Sequence, residues 1–252
     1  MVYEFGNLRS TEVDRILREN PLVIVPTGQV EEHGPHLPLN TDCVIAERAA
    51  AECATRLGTD RSVILMDLIP YGYSGKTMTR WPGTMQVRMD TVRDYLYDVC
   101  ISLVDMGVKK LAIFNNHGHH VALFELVVRM IADSRCIAPV VLVPLHLALG
   151  SGKLENVLKG GPGSSCHAGE IETSLMLHLA PKHVDLSGAK DNPLKDAGWP
   201  SKGAFWSTWE RQPTENGVYG TPTVARAETG KQVFEVIVEA SCDFLERYHR
   251  GG

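Results

Sequence analysis

The sequence predicts an α/β fold with a parallel sheet and helices on both faces. Two observations carry this. Between residues 22 and 179, apolar β-branched runs alternate with helix-forming segments, the pattern of strand–helix–strand units. No internal repeat, low-complexity tract or composition shift marks a boundary, so residues 1–252 are expected to form one domain.

The elements follow in order. Leu22-Val23-Ile24-Val25 is a continuous apolar run, and Val23 to Pro26 reads as a buried strand. Thr41 to Leu57 is built of strong helix formers, Ala-Glu-Arg-Ala-Ala-Ala-Glu-Cys-Ala among them, with Gly58 placed to end it. Ser62 to Ile69 reads as a second strand. Residues 70–88, with Gly72, Gly75, Pro82 and Gly83, read as a long loop, and Tyr71, Tyr73 and Trp81 favour an ordered, functional one. Asp90 to Met106 predicts a helix, with Asp90 as N-cap and Gly107 as C-cap. Lys110 to Phe114 is a third strand, emptying into Asn115-Asn116-His117-Gly118-His119-His120. The two asparagines read as turn residues that tolerate a left-handed backbone. Val121 to Ser134 is a helix and Ala138 to Val143 a fourth strand. His167 to Leu179 reads as a helix with Ile171, Ser174, Leu175 and His178 on one face. Residues 184–224 are rich in Gly, Pro, Trp and charge and read as mostly irregular, and Glu228 to Tyr248 closes the chain as a helix.

Composition sets bounds on function. The 252 residues are 44% hydrophobic and 22% charged, ordinary for a soluble globular protein. A net charge of −5, with Lys109-Lys110 the longest basic run, argues against nucleic acid as a partner. No apolar stretch is long enough to span a membrane, and the first residues lack the form of a signal peptide. Six cysteines without a C-x-x-C pair read as free thiols in a reducing cytoplasm. Cys166, beside His167, is the one position where a nucleophile is conceivable.

The most informative stretch is Glu31-Glu32-His33-Gly34-Pro35-His36-Leu37-Pro38-Leu39-Asn40-Thr41-Asp42. It concentrates the ligand types that divalent first-row metals take. Gly34, Pro35 and Pro38 rule out a regular helix, so a strand empties into a loop of ligands, where open α/β sheets keep their sites. A second strand end supplies His117 and His119, and His167-Ala-Gly-Glu170-Ile-Glu172-Thr-Ser opens a helix. Taken singly, each has a bland reading: a hydrogen-bonded loop histidine, a solvated turn, a stacked His36, an N-cap at Asp42. Trp199, Trp206 and Trp209 read as loop-packing aromatics. Jointly the clusters point to one cavity, because the C-terminal ends of parallel strands face the same way.

These stretches resemble the creatininase (creatinine amidohydrolase) family. The matching segments are Pro26 to Asp42, Trp81-Pro-Gly-Thr84, Asn115-Asn-His-Gly118, His167-Ala-Gly-Glu-Ile-Glu-Thr-Ser174 and Gly217-Val-Tyr-Gly220. The resemblance implies a three-layer α/β/α domain with a mostly parallel sheet, two divalent metals per subunit, hydrolysis at a carbonyl and a homo-oligomer, often a hexamer. By position, Glu31 and His117 look like terminal ligands of one metal, His33 and Glu172 of the other, and Asp42 like the bridge. Zinc is expected, with manganese or iron also fitting these ligands. Two departures stand out. His119 occupies a place where creatininase has Glu, and Ser74-Gly-Lys-Thr77 replaces the Ser-x-Glu-His of many relatives. His119 is thereby open as a ligand, a proton carrier or a substrate contact, and Lys76, His119, Trp206 and Tyr219 are the expected substrate contacts.

The expected chemistry is hydrolysis of a cyclic amide or related C–N bond in a small molecule by metal-activated water. His167 is the expected general acid, oriented by Glu170 or Glu32. Two alternatives remain at this level: opening of a cyclic polyol ketone at a C–C bond, and a non-catalytic metal-binding protein of the same fold.

Overall fold

The structure, a computed structural model, describes residues 1–195 and 212–251. Among these, five strands form one sheet in which every pairing is parallel: β1 (Val2–Glu4), β2 (Leu22–Thr27), β3 (Val63–Leu65), β4 (Lys110–Asn115) and β5 (Val140–Leu142), in the order β1-β3-β2-β4-β5. The β2 and β4 strands pair along their whole length, from Leu22 opposite Lys110 to Thr27 opposite Asn115. All six residues of β2 are buried, as expected of a strand covered on both faces.

The period-2 alternation of the central strands sorts the helices into two layers. Leu22, Ile24, Ala112 and Phe114 face one way, onto α2 (Thr41–Leu57), α5 (Pro144–Gly150), α6 (Glu170–Leu179) and α7 (Ala227–Arg250). Val23, Val25, Leu111 and Ile113 face the other, onto α1 (Ser10–Leu17), α3 (Met89–Asp105) and α4 (Val121–Arg135). The architecture is therefore the expected three-layer α/β/α arrangement.

Several elements differ from expectation. The second predicted strand shortens to Val63–Leu65, and Ile69 returns only as an isolated bridge to Thr27. The α6 helix starts at Glu170 instead of His167. His167 belongs to β6 (Ser165–His167), which pairs antiparallel with β7 (Tyr219–Gly220), and Ala168 between them has φ +50°. A left-handed Ala cannot continue a helix without strain, so the chain turns there. Arg88 is the N-cap of α3, and Asp90 lies in its first turn, where a carboxylate favours the helix dipole. Neither Asn115 nor Asn116 has a left-handed backbone; both act through side-chain bonds. The short β1, α1 and α5, and the β6–β7 pair, were not expected. Among the described residues no helix is long and apolar enough to cross a membrane.

The α6–α7 contact is close enough to be tested. A Cβ added at Gly230 would stand 1.8 Å from the Ser174 carbonyl oxygen and 2.4 Å from its carbon. Both are backbone atoms and cannot swing aside. Gly230→Ala is expected to destabilise the fold by about 1–3 kcal/mol or more. Gly150→Ala, where a Cβ meets nothing within 4 Å, should stay within about 0.5 kcal/mol of the parent. Urea unfolding midpoints of the two variants provide the comparison.

Candidate metal centre

The sheet order places the site. From β2 the chain crosses to β3 on one side, while β4 lies on the other. The crevice outside the C-terminal ends of β2 and β4 is thus the switch point of the sheet, where α/β folds bind ligands. The loop after β2 brings Glu31, Glu32 and His33 there and returns as α2, whose first turn carries Asp42. Close approach makes this possible: a Cβ on Gly28 would be 2.7 Å from the Cys43 Cα, so glycine lets the strand end lie against the helix start. The turn after β4 is shaped by Asn115, whose Oδ1 accepts from His117 N at 3.2 Å and whose Nδ2 donates to His117 O at 2.9 Å. The β6–β7 pair sets His167 opposite Tyr219, and Glu172 reaches back from the first turn of α6 to accept from Ala168 N at 2.5 Å.

Three carboxylates and three imidazoles meet in this crevice. Asp42 lies between two histidines: Oδ1 is 3.4 Å from His33 Nε2, and Oδ2 is 2.8 Å from His117 Nδ1. His33 Nε2 is 4.0 Å from Glu172 Oε2. Glu31 Oε1 is 3.4 Å from His117 Nδ1 and 3.7 Å from His167 Nδ1. Glu31 and Asp42 are only 1% and 3% exposed. Burial pushes the Asp42 carboxyl up, but His33 and His117 outweigh it and hold it well below the carboxylate range. Burial lowers His33, yet the charges of Asp42, Glu172 and Glu31 hold it well above its ordinary value. Glu172 is raised, chiefly by its own burial.

The backbone decides which nitrogen each histidine presents. A ring nitrogen against a carbonyl must carry the proton. His33 donates Nδ1–H to Glu31 O (3.2 Å), His117 donates Nε2–H to Tyr73 O (3.1 Å), and His167 donates Nε2–H to Glu32 O (2.9 Å). In each case the other nitrogen faces the carboxylates, the disposition of metal-ligating imidazoles held by an outer carbonyl. His33 Nε2 is buried with no hydrogen-bond partner, although Asp42 Oδ1 and Glu172 Oε2 stand 3.4 and 4.0 Å away, and a cation between these groups would satisfy it. The residues therefore fit a divalent cation. Three overlapping groups bring ligand atoms within 4.8 Å of one another: Glu31–His33–His167, Glu31–His117–His119 and His33–Asp42–Glu172.

His119 and His120 behave differently. Each accepts from a backbone amide: His119 Nδ1 from Gly75 N at 3.3 Å, His120 Nε2 from Tyr73 N at 3.0 Å. Burial, with the neighbouring His117 charge, lowers His119 to about 4, so it is neutral. With Nδ1 engaged, Nε2 carries the proton. His119 lies within ligand reach of Glu31 and His117, but its tautomer favours donation of a hydrogen bond over ligation. His36 is also neutral, lowered to about 4 by burial and by the charge of His33, with Nε2 against Thr173 Oγ1 at 2.9 Å; it braces the loop.

Of the two carboxylates expected beside His167, one is there. Glu32 Oε1 is 3.4 Å from His167 Nε2, and Glu32 Oε2 accepts from Gly34 N. Glu170 turns away, and its two oxygens accept the Lys159 and Gly160 amides at 2.7 and 2.8 Å. Cys166 is no nucleophile, since burial and the nearby Glu172 push its thiol up to about 12. Tyr219 is buried against β6. Lys76 is exposed at the start of the 3-10 turn Lys76–Arg80, and Trp206, with Trp199 and Trp209, lies outside the described residues. Sequence reading missed three supports: Ser74, whose hydroxyl donates to Glu31 Oε2; Thr84, whose hydroxyl accepts from Glu32 N; and Gln29, which accepts from Gly72 N. Gln29 and Thr84 fall inside the matched motifs, which is the signal that pointed to them.

A family model described as creatinine amidohydrolase matches residues 6–245. The chain is 28% identical over 233 residues to the mycofactocin precursor peptide peptidase of Mycolicibacterium smegmatis, covering 90% of this chain and 85% of that one. It is 27% identical over 266 residues to the 3-dehydro-scyllo-inosose hydrolase of Thermotoga maritima, covering 98% and 82%. The solved structure of a manganese creatininase superposes with a TM-score of 0.80 at 24% identity, over 98% of each chain.

The geometry separates structural from chemical carboxylates in a testable way. In Glu170→Gln the amide NH₂ would face a backbone N–H, so one buried donor loses its acceptor. The variant should lose about 1–3 kcal/mol of stability while binding divalent metal as the parent does. Chemical denaturation paired with metal analysis checks both halves, and loss of metal would return Glu170 to the site.

Proposed function

The chain belongs to the creatininase family, and on that premise we propose that it is a metal-dependent hydrolase cleaving a cyclic amide or related C–N bond of a small molecule. One observation carries the reading. His33, His117 and His167 each donate one ring N–H to a carbonyl and turn the other nitrogen onto the Glu31, Asp42 and Glu172 carboxylates.

In this reading Glu31 and His117 would hold one divalent cation, His33 and Glu172 would hold a second, and Asp42, between His33 and His117, would be shared by the two. Imidazole with carboxylate suits zinc, and manganese or iron as well. Bound there, the cations supply a water acidified toward neutrality and a Lewis acid for the scissile carbonyl.

The chain's own groups do the rest. An amide nitrogen leaves poorly until it is protonated, so a proton must be carried to it. His167 is the carrier. Its Nε2–H is committed to the Glu32 carbonyl, so the exchanging nitrogen is Nδ1, which faces Glu31 Oε1. Glu32 is the positioning carboxylate. Burial pushes it up, but His167 outweighs this and keeps it ionised, and its charge supports the imidazolium that forms after proton uptake. His119, with Nε2 protonated, contributes a hydrogen bond to a substrate oxygen, and Lys76, exposed at the start of the Lys76–Arg80 turn, is the further substrate contact, whereas Tyr219 is buried against β6. A second reading, C–C opening of a cyclic polyol ketone, is favoured by the Lys76-Thr77 departure and by the Thermotoga maritima relative.

Three substrate classes separate these readings: cyclic amides, short peptides and cyclic polyol ketones. Amide turnover that a chelator abolishes and zinc or manganese restores is expected, whereas turnover of the ketone alone would move the assignment to the C–C bond. Asp42→Ala should lose bound metal and at least about 100-fold in kcat/KM, the upper range for loss of an outer partner. An Asp42→Ala protein with two metals and full turnover would overturn the mechanism.

A further inference from the structure

The histidine motif after β4 makes a set of contacts that the proposed chemistry does not require. Residues Gly72 to Gly75 of the long loop lie against His117, His119 and His120. Tyr73 is held at both ends of its residue: its N–H donates to His120 Nε2 at 3.0 Å, and its carbonyl accepts from His117 Nε2 at 3.1 Å. Gly75 N donates to His119 Nδ1, and Ser74 donates to Glu31. Gly72 lies flat on the His120 ring, where a Cβ would be 2.2 Å from Nε2 and 2.3 Å from Cε1. The far side of the segment is tied by Val87 N to Gly72 O at 2.9 Å and Gln86 Nε2 to Ser74 O at 2.9 Å.

His120 is the residue whose chemistry stands out. It is 1% exposed, its ring 4.6 Å from Phe124 one turn on and 4.5 Å from His117. Accepting at Nε2 forces the proton onto Nδ1, and Nδ1 is buried with no hydrogen-bond partner. A buried, unsatisfied N–H is costly, and an apolar side chain of similar size would avoid it. The cost is explained if the acceptor at Nε2 is needed.

We propose that His120 is a positioning residue: by accepting the Tyr73 N–H it fixes the Tyr73 carbonyl, which in turn fixes the tautomer and ring orientation of His117. Tyr73 N–H can donate to Nε2 only where that nitrogen carries no proton, so the hydrogen bond itself requires the neutral ring. The link runs from His120 through one residue of backbone to a group facing Asp42 and Glu31. Its effect on metal binding rests on the hydrolase reading; the latch itself does not.

The test uses His120→Leu, which fills the space without an acceptor, and His120→Gln, whose Oε1 can accept. Gly72→Ala breaks the same contact from the loop side, should the leucine variant fold poorly. In the metal-free full-length protein, hydrogen–deuterium exchange of the peptide containing Tyr73 should speed up in His120→Leu and Gly72→Ala and recover in His120→Gln. Against a chromophoric chelator, zinc affinity should fall about 10–100-fold in the first two variants, with partial rescue by glutamine. Wild-type exchange at Tyr73 and wild-type zinc affinity in folded His120→Leu would overturn the proposal. A parent protein that binds no zinc would sink the hydrolase reading, and the exchange comparison would still decide whether His120 holds the loop.

Discussion

Everything about this molecule is arranged around burying acids together. Glu31, Glu32 and Asp42 are at most 4% exposed, with Glu172 beside them, and each buried carboxylate is expensive unless positive charge and hydrogen bonds meet it. The fold supplies both. Asp42 and Glu172 sit in the first turns of α2 and α6, so two helix N-termini, the positive ends of their dipoles, serve the same crevice. Imidazoles from three chain segments fill the spaces between the oxygens. The acids in turn raise His33, His117 and His167 against their burial. Removing one member leaves a buried charge uncompensated, so the cluster stands or falls as a unit.

Five histidines crowd this space, and composition does not distinguish them. The backbone does. Carbonyls at Glu31, Glu32 and Tyr73 draw a proton to the far nitrogen of His33, His167 and His117. Amides at Tyr73 and Gly75 draw a lone pair from His120 and His119. The same peptide unit type, presented by its oxygen or its nitrogen, thus sorts imidazoles into those that turn a ring nitrogen onto the acids and those that spend one accepting a backbone amide, without any change of side chain. That sorting is fixed before any cation or substrate binds, which is what a preorganised site requires.

The legible parts of the fold are those decided locally or by long patterns. The α2 helix from Thr41 to Leu57 is visible in its run of strong helix formers, and β2 and β4 in continuous apolar stretches buried on both faces. The three-residue β1 and the β6–β7 pair are not visible, because their stability comes from a neighbour distant in sequence. His167 reads as helical from the apolar spacing that follows it, yet the left-handed Ala168 moves it into a strand. The site's acids and ligand-type imidazoles stand out because several metal-type residues end separate strands. Glu170 misleads for the same reason. It has the right chemistry in the right motif, and only the position of the Lys159 and Gly160 amides shows that it braces a loop. The tautomers of His119 and His120 are beyond the sequence altogether, since they depend on a loop more than forty positions earlier.

That loop also explains how reactivity and selectivity can be separated in one site. Residues 72–75 are held largely through backbone groups, by His117, His119, His120, Gln29 and Gln86, with the Ser74 hydroxyl on Glu31 and the Tyr73 ring on the α3–α4 core and His119 as the side-chain contributions. Immediately beyond, the turn Lys76–Arg80 carries side chains that the latch does not use, and Lys76 is exposed. A change at Lys76, exposed next to the held segment, therefore leaves the groups at the centre undisturbed. The centre cannot vary so freely, because each of its groups balances another buried charge. Differences in substrate are then expected to accumulate after residue 75, while the carboxylate–imidazole cluster is held fixed by its own electrostatics.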